Sequence, residues 1–122
     1  MRPGAALPIA ALVLSSACTD PFASGACTTE AVAGITVDLR RESGQTLPAD
    51  DADGRAVDER GEVAELEPFL DRLIGAVERA GTYTVTVAKP GFQSWVREDV
   101  EVEEGECHVV PVRLEAVLSP ES

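Results

Sequence analysis

Cys107 and His108 are neighbours, and His108 is the one histidine in a chain of 122 residues. Such a pair could ligate zinc, or supply a thiolate and its base. On a regular strand, however, neighbours point to opposite faces, and no second histidine or Cys-x-x-Cys completes a tetrahedral set. His108 therefore reads as a strand-start residue, hydrogen-bonded or partly exposed. A serine–histidine–aspartate triad would need this same histidine. The chain has no Gly-x-Ser-x-Gly elbow, and Ser24, Ser43, Ser94 and Ser119 fall in turn-like or terminal stretches. The run from Asp50 to Gly54 invites a calcium reading. With Gly54 as the loop glycine, the first ligand position is Ala49 and the twelfth is Arg60, so the pattern fails at both ends. These residues assign no catalytic group, no metal and no cofactor, and the chain reads as a non-enzyme.

The residues that locate the protein lie at its start. Arg2 precedes an apolar stretch from Ala5 to Leu14 and small residues up to Cys18. This is the three-part layout of a secretory signal, too short to span a bilayer. Leu14-Ser15-Ser16-Ala17-Cys18 resembles a bacterial lipobox, which implies a signal peptide over 1–17 and lipidation of Cys18. Simple secretion after cleavage at Ala17 is the alternative. The expected location is the bacterial cell envelope, and Thr19 after the lipidated cysteine favours the outer membrane where there are two.

Without residues 1–17, nine Lys and Arg face 22 Asp and Glu, a formal charge of −13. A surface this acidic repels phosphate backbones and anionic headgroups, which excludes nucleic acid as a partner and leaves membrane attachment to the lipid. With Cys18 lipidated, Cys27 and Cys107 remain as a pair in an oxidising compartment, and one disulfide is expected. It would close a loop of roughly 80 residues, for which chain entropy contributes about 4–5 kcal/mol.

Residues 18–27 read as a lipidated tether, 28–118 as one domain and 119–122 as a tail. Alternation starts at Ala33, with Ile35, Val37 and Leu39 on one face, so a half-buried strand is predicted. A strand near Arg55 to Glu59 is weakly marked. From Gly61 to Gly81 the residues Val63, Leu66, Leu70, Leu73, Ile74 and Val77 fall at helical spacings, and read alone this segment is equivocal between helix and strands. Tyr83, Val85 and Val87 then alternate with threonines, a Lys-Pro-Gly turn follows at 89–91, and Val100 and Val102 lead through a turn at Gly105 to a last strand. That last strand is expected to place Val110, Val112 and Leu114 on one face. Short strands broken by turns at regular spacing predict an antiparallel sandwich.

Gly81 to Tyr83, Pro90 to Phe92 and the Cys107-His108 pair at the opening of the last strand resemble the carboxypeptidase regulatory-like domains. These belong to the transthyretin-like (prealbumin-like) family, and small bacterial lipoproteins carry the pattern. The resemblance covers roughly residues 31–118. It implies an all-β, seven-stranded antiparallel sandwich in two sheets, with strands rather than a helix at 61–67 and 72–80. It implies no active site, since such modules serve as scaffolding or binding units.

Five aromatic residues remain to be placed. Tyr83 shares parity with Val85 and Val87 and is expected in the core with its hydroxyl on a backbone group. Phe92, Val96, Val100 and Val102 share parity, which would turn Trp95 outward with Gln93 and Arg97, where it could stack on a sugar or a protein. A bulge that returns it to the core or packs it at the sandwich edge is the preferred reading. The functional expectation is a lipid-anchored, non-catalytic structural or protein-binding module. A carbohydrate-binding module using Trp95, or an accessory subunit of an envelope enzyme, are the alternatives.

Overall fold

The alternation beginning at Ala33 forms a strand as its pattern requires. In β1 (Ala33–Arg41), Ile35, Val37 and Leu39 are fully buried, while Thr36, Asp38 and Arg40 stand half-buried on the other face. Burying each of those three side chains is worth about 1.5–3 kcal/mol, which pins the register. The computed structural model describes Cys27 and residues 29–121. The expected signal peptide, Cys18 and the tether up to Ala26 lie outside the described residues. The folded unit is Ala31–Ser122.

Seven further strands follow: β2 (Asp53–Asp58), β3 (Val63–Phe69), β4 (Arg72–Val77), β5 (Gly81–Ala88), β6 (Trp95–Glu104), β7 (Val109–Val110) and β8 (Val112–Leu118). Across the sheet they run β7-β6-β5-β2-β3-β4-β1-β8. The β1–β8 pair is parallel and the other pairs are antiparallel. Among the described residues there is no helix.

This single, nearly barrel-shaped sheet of eight strands corrects the expected seven-stranded sandwich of two sheets. One reason lies in β3. Its first half, Val63 to Leu66, pairs with β2, and its second half, Glu67 to Phe69, pairs with β4. Two ladders that share a strand become one sheet. The crossing needs glycine: a Cβ on Gly75 would lie 2.5 Å from Leu66 Cδ2 and 2.8 Å from the Glu65 carbonyl oxygen. The helical spacing of Val63, Leu70 and Val77 is coincidental, for all three are exposed on the β3–β4 hairpin.

The other reason lies at Pro111. Val109 and Val110 pair with β6, whereas Val112 onward pairs with β1, and Pro111 between them has no N–H to continue a ladder. The expected single last strand is thereby split, and its phase changes. Val109 is buried and Val110 exposed, so Val110 does not share the inner face of Val112 and Leu114.

In β6 a bulge sets the direction of Trp95. Tyr83 faces Val100 and Val85 faces Arg97, so one residue of β5 opposes both Glu98 and Asp99, and Asp99 has φ 59°. Trp95 therefore stands opposite the buried Val87 and packs, half-buried, on the core, while Val96 is 53% exposed. The outward parity for Trp95 fails at this bulge.

The pairings define two ends. The entry end holds Ala33 beside Val77, the β2–β3 turn, the turn at 78–80 and the bend at 105–108. The far end holds residues 42–52, the β3–β4 turn at Leu70 and Asp71, residues 89–94, and residues 119–121.

Candidate functional site

At the far end, Lys89-Pro90-Gly91-Phe92 makes a tight turn. Pro90 presets φ at the second position, Gly91 takes φ 86° at the third, and the Phe92 N–H donates to the Lys89 carbonyl at 3.0 Å. The chain end is drawn onto this turn. Phe92 bridges Pro120, the Gln93 N–H donates to Ser119 at 2.8 Å, and the Glu121 N–H donates to Gly91 at 3.0 Å.

This clasp carries two stacked pairs. Arg41 holds its guanidinium carbon 5.2 Å from the Phe92 ring centroid, and Arg97 does the same at 5.2 Å over Trp95. On a strand, residues two apart share a face, which is why Arg97 reaches Trp95. Phe92 and Trp95 are both half-buried against the core. Among the described residues, Arg40, Arg55, Arg60, Arg72, Arg79, Lys89 and Arg113 each have a carboxylate within 4.0 Å, and Arg41 and Arg97 do not. In a chain with more than twice as many acids as bases, these two exposed cations are the ones left to their rings. A cleft of about 380 Å³ opens beside Phe92, lined on its polar side by Asp51, Asp53, Lys89, Ser94 and Glu121.

In the acidic run, Asp50 and Asp51 stand in a turn, and Asp53 and Gly54 open β2. Lys89, itself buried, pairs with Asp51 and donates to the Pro48 carbonyl at 2.8 Å, which ties residues 48–51 to the end of β5. The hydrogen bond from Lys89 holds the Asp51 carboxyl below its ordinary range. No cluster of three metal-ligating side chains occurs among the described residues.

The entry end is built from carboxylates that hold backbone. Asp58 has a side chain only 2% exposed and accepts from the N–H groups of Arg60 and Glu62, each at 2.9 Å. Burial works to raise its pKa, but the Glu62 and Arg60 N–H groups and the Arg60 guanidinium outweigh it and hold the carboxyl low. Glu78, at φ 52°, accepts from the Val32 N–H at 2.9 Å and the Val109 N–H at 3.3 Å, and pairs with His108. Burial again pushes upward, and His108 with the two N–H groups holds Glu78 low. His108 is thus a hydrogen-bonded residue immediately before β7. Cys107, half-buried in the bend before β7, forms the disulfide with Cys27. Tyr83 is 1% exposed and donates its hydroxyl to the Arg79 carbonyl at 2.9 Å, as its parity predicts.

The residues singled out in the sequence therefore do not converge. Cys107 and His108 belong to the entry end and Trp95 to the far end. Arg41, Phe92 and Arg97 were not singled out as partners of Trp95. The Trp-x-Arg spacing is a readable signal for Arg97, but the Arg41–Phe92 pair joins residues 51 apart and has none. Comparison with protein-family models finds no match, and none of the curated proteins matches the chain.

Proposed function

We propose that this chain is a non-catalytic binding module of the bacterial cell envelope, held at a membrane by lipid on Cys18. The observation that carries the binding reading is the division of charge. The shifted carboxylates Asp38, Asp51, Asp58, Glu59 and Glu78 are each bound to strands or turns of the protein itself, whereas Arg41 and Arg97 at the far end have no carboxylate within 4.0 Å among the described residues. Groups committed to structural bonds are poor acid–base catalysts, and free cations beside aromatic rings suit recognition. The relation to carboxypeptidase regulatory-like domains belongs to this proposal. It draws support from the strand at Gly81 to Tyr83 and the Pro90-Gly91-Phe92 turn.

Labelled palmitate incorporation in cells tests the anchor. The wild type is expected to take up label and Cys18→Ala to take up none; equal labelling of the two overturns it. A partner that binds the wild type and is lost in a variant lacking both Arg41 and Arg97 supports the module reading. Retention of that partner by the double variant moves binding elsewhere on the surface.

A further inference from the structure

Besides closing a loop, the Cys27–Cys107 disulfide sets the length of the tether. Cys107 lies in the bend at 105–108, at the entry end, and β1 starts at that same end with Ala33. With the disulfide closed, the free chain between Cys18 and the fold is the nine steps to Cys27. With it open, the first fixed point is Val32, which exchanges hydrogen bonds with Glu78: its N–H donates to the carboxylate and its carbonyl accepts from the Glu78 N–H, each at 2.9 Å. The free chain then grows to fourteen steps.

These two lengths differ in what they allow. β1 runs from the entry end to the far end in nine residues, which at strand pitch is about 26 Å. A flexible chain of nine steps has an end-to-end distance of about 15–18 Å, and one of fourteen about 19–22 Å. Fully extended, they span about 30–32 Å and about 46–50 Å. With the disulfide closed, the far end can touch the membrane only on a nearly taut tether; with it open, slack remains. The charges make this limit matter. Glu103, Glu104 and Glu106 border the bend that holds Cys107 and have no cation within 4.0 Å among the described residues, so they give the entry end no hold on anionic headgroups. Arg41 and Arg97 lie at the far end, where an anionic surface attracts them at close range.

We propose that the Cys27–Cys107 disulfide is an orientation clasp. By shortening the tether it keeps the entry end toward the membrane and presents the far end, with Phe92, Trp95 and their arginines, away from it. The far end is then offered to a partner beyond the membrane surface and not to lipid. This inference rests on the reading of the chain as lipid-anchored. Its test supplies the anchor chemically, so a failure of palmitate labelling and a failure of the geometry are separate results.

With the disulfide formed, Cys18 is the one free thiol of the three cysteines. The chain from Cys18 onward, which contains the whole folded unit, is coupled through that thiol to a maleimide-headgroup lipid. The vesicles are phosphatidylcholine with phosphatidylglycerol and carry a dansyl-headgroup acceptor. Energy transfer from tryptophan to dansyl falls with the sixth power of distance, so it reports which end is near. Two donors are compared. One is Trp95, the single tryptophan, at the far end; the other is placed by Val63→Trp together with Trp95→Phe, at an exposed position beside the β2–β3 turn of the entry end. Transfer is expected to be severalfold stronger from the Val63→Trp donor. Five glycine and serine residues inserted after Ser24 restore the open-disulfide length without touching the fold, and should raise transfer from Trp95 toward the Val63→Trp level. Cys27→Ser with Cys107→Ser should do the same while circular dichroism keeps its strand signal. Equal transfer from the two donors with the disulfide closed overturns the proposal, as does transfer from Trp95 that the insert leaves unchanged.

Discussion

The two ends of this sheet use the same residue types to opposite effect. At the entry end, Asp58 and Glu78 collect backbone N–H groups from turns and from the starts of β1 and β7, and Arg60, Arg79 and His108 sit on those carboxylates. At the far end, Arg41 and Arg97 lie on aromatic rings with no carboxylate within 4.0 Å among the described residues, and an open cleft lies beside Phe92. The contrast teaches where stability and recognition are divided. A buried carboxylate that accepts several N–H bonds is costly to remove, while an exposed guanidinium on a ring contributes little to folding and keeps its donors available.

The largest test of this contrast is Cys107→Ser, which opens the bridge at the entry end. It is expected to lower unfolding free energy by about 2–5 kcal/mol in urea titration. A loss no greater than that from the far-end variants would break the comparison. Next comes Asp58→Asn. Because the folded-state carboxyl of Asp58 titrates below its unfolded value, its contribution is fully present above the unfolded pKa of about 3.9. That contribution is lost as pH falls through the lower folded value. Denaturation midpoints of the wild type should therefore fall on acidification below about pH 4, and the variant should start lower and fall less. A wild type whose midpoint is flat down to pH 2 would remove Asp58 as an acid-sensitive clasp.

A smaller effect is expected for Tyr83→Phe, which deletes the hydroxyl bond to the Arg79 carbonyl and should cost about 0.5–1.5 kcal/mol by thermal melting. The smallest belongs to the far end. Arg41→Gln and Arg97→Gln should each change stability by no more than about 1 kcal/mol, the range of an exposed cation–π contact. A larger loss from either would show that the far-end arginines hold the fold, and would erase the distinction between the ends.

Much of the fold was legible where burial follows strict alternation. Ile35, Val37 and Leu39 announced β1, and Tyr83, Val85 and Val87 announced β5, with all six buried as their parity required. The β3–β4 hairpin was harder. Val63, Leu70 and Val77 mimic a helical stripe but are exposed, and Leu70 sits at φ 58°, a conformation that no leucine announces. The bulge at Glu98 and Asp99 is equally silent, and it alone decides which way Trp95 faces. Of the candidate site, the Trp95–Arg97 spacing was visible along the chain, whereas Arg41 meets Phe92 only because β1 and β8 lie parallel and residues 119–121 fold onto the turn at 89–92.

By itself, then, the amino-acid sequence determined the faces of β1 and β5 and the excess of acid over base, and its cysteine count pointed to the pairing of Cys27 with Cys107. These depend on composition, cysteine count and period, which are local or additive. The number of sheets, the crossing of β3 between two ladders and the isolation of Arg41 and Arg97 were decided by tertiary structure alone. Each depends on which distant strands exchange hydrogen bonds and on which carboxylates those pairings bring within reach of each cation.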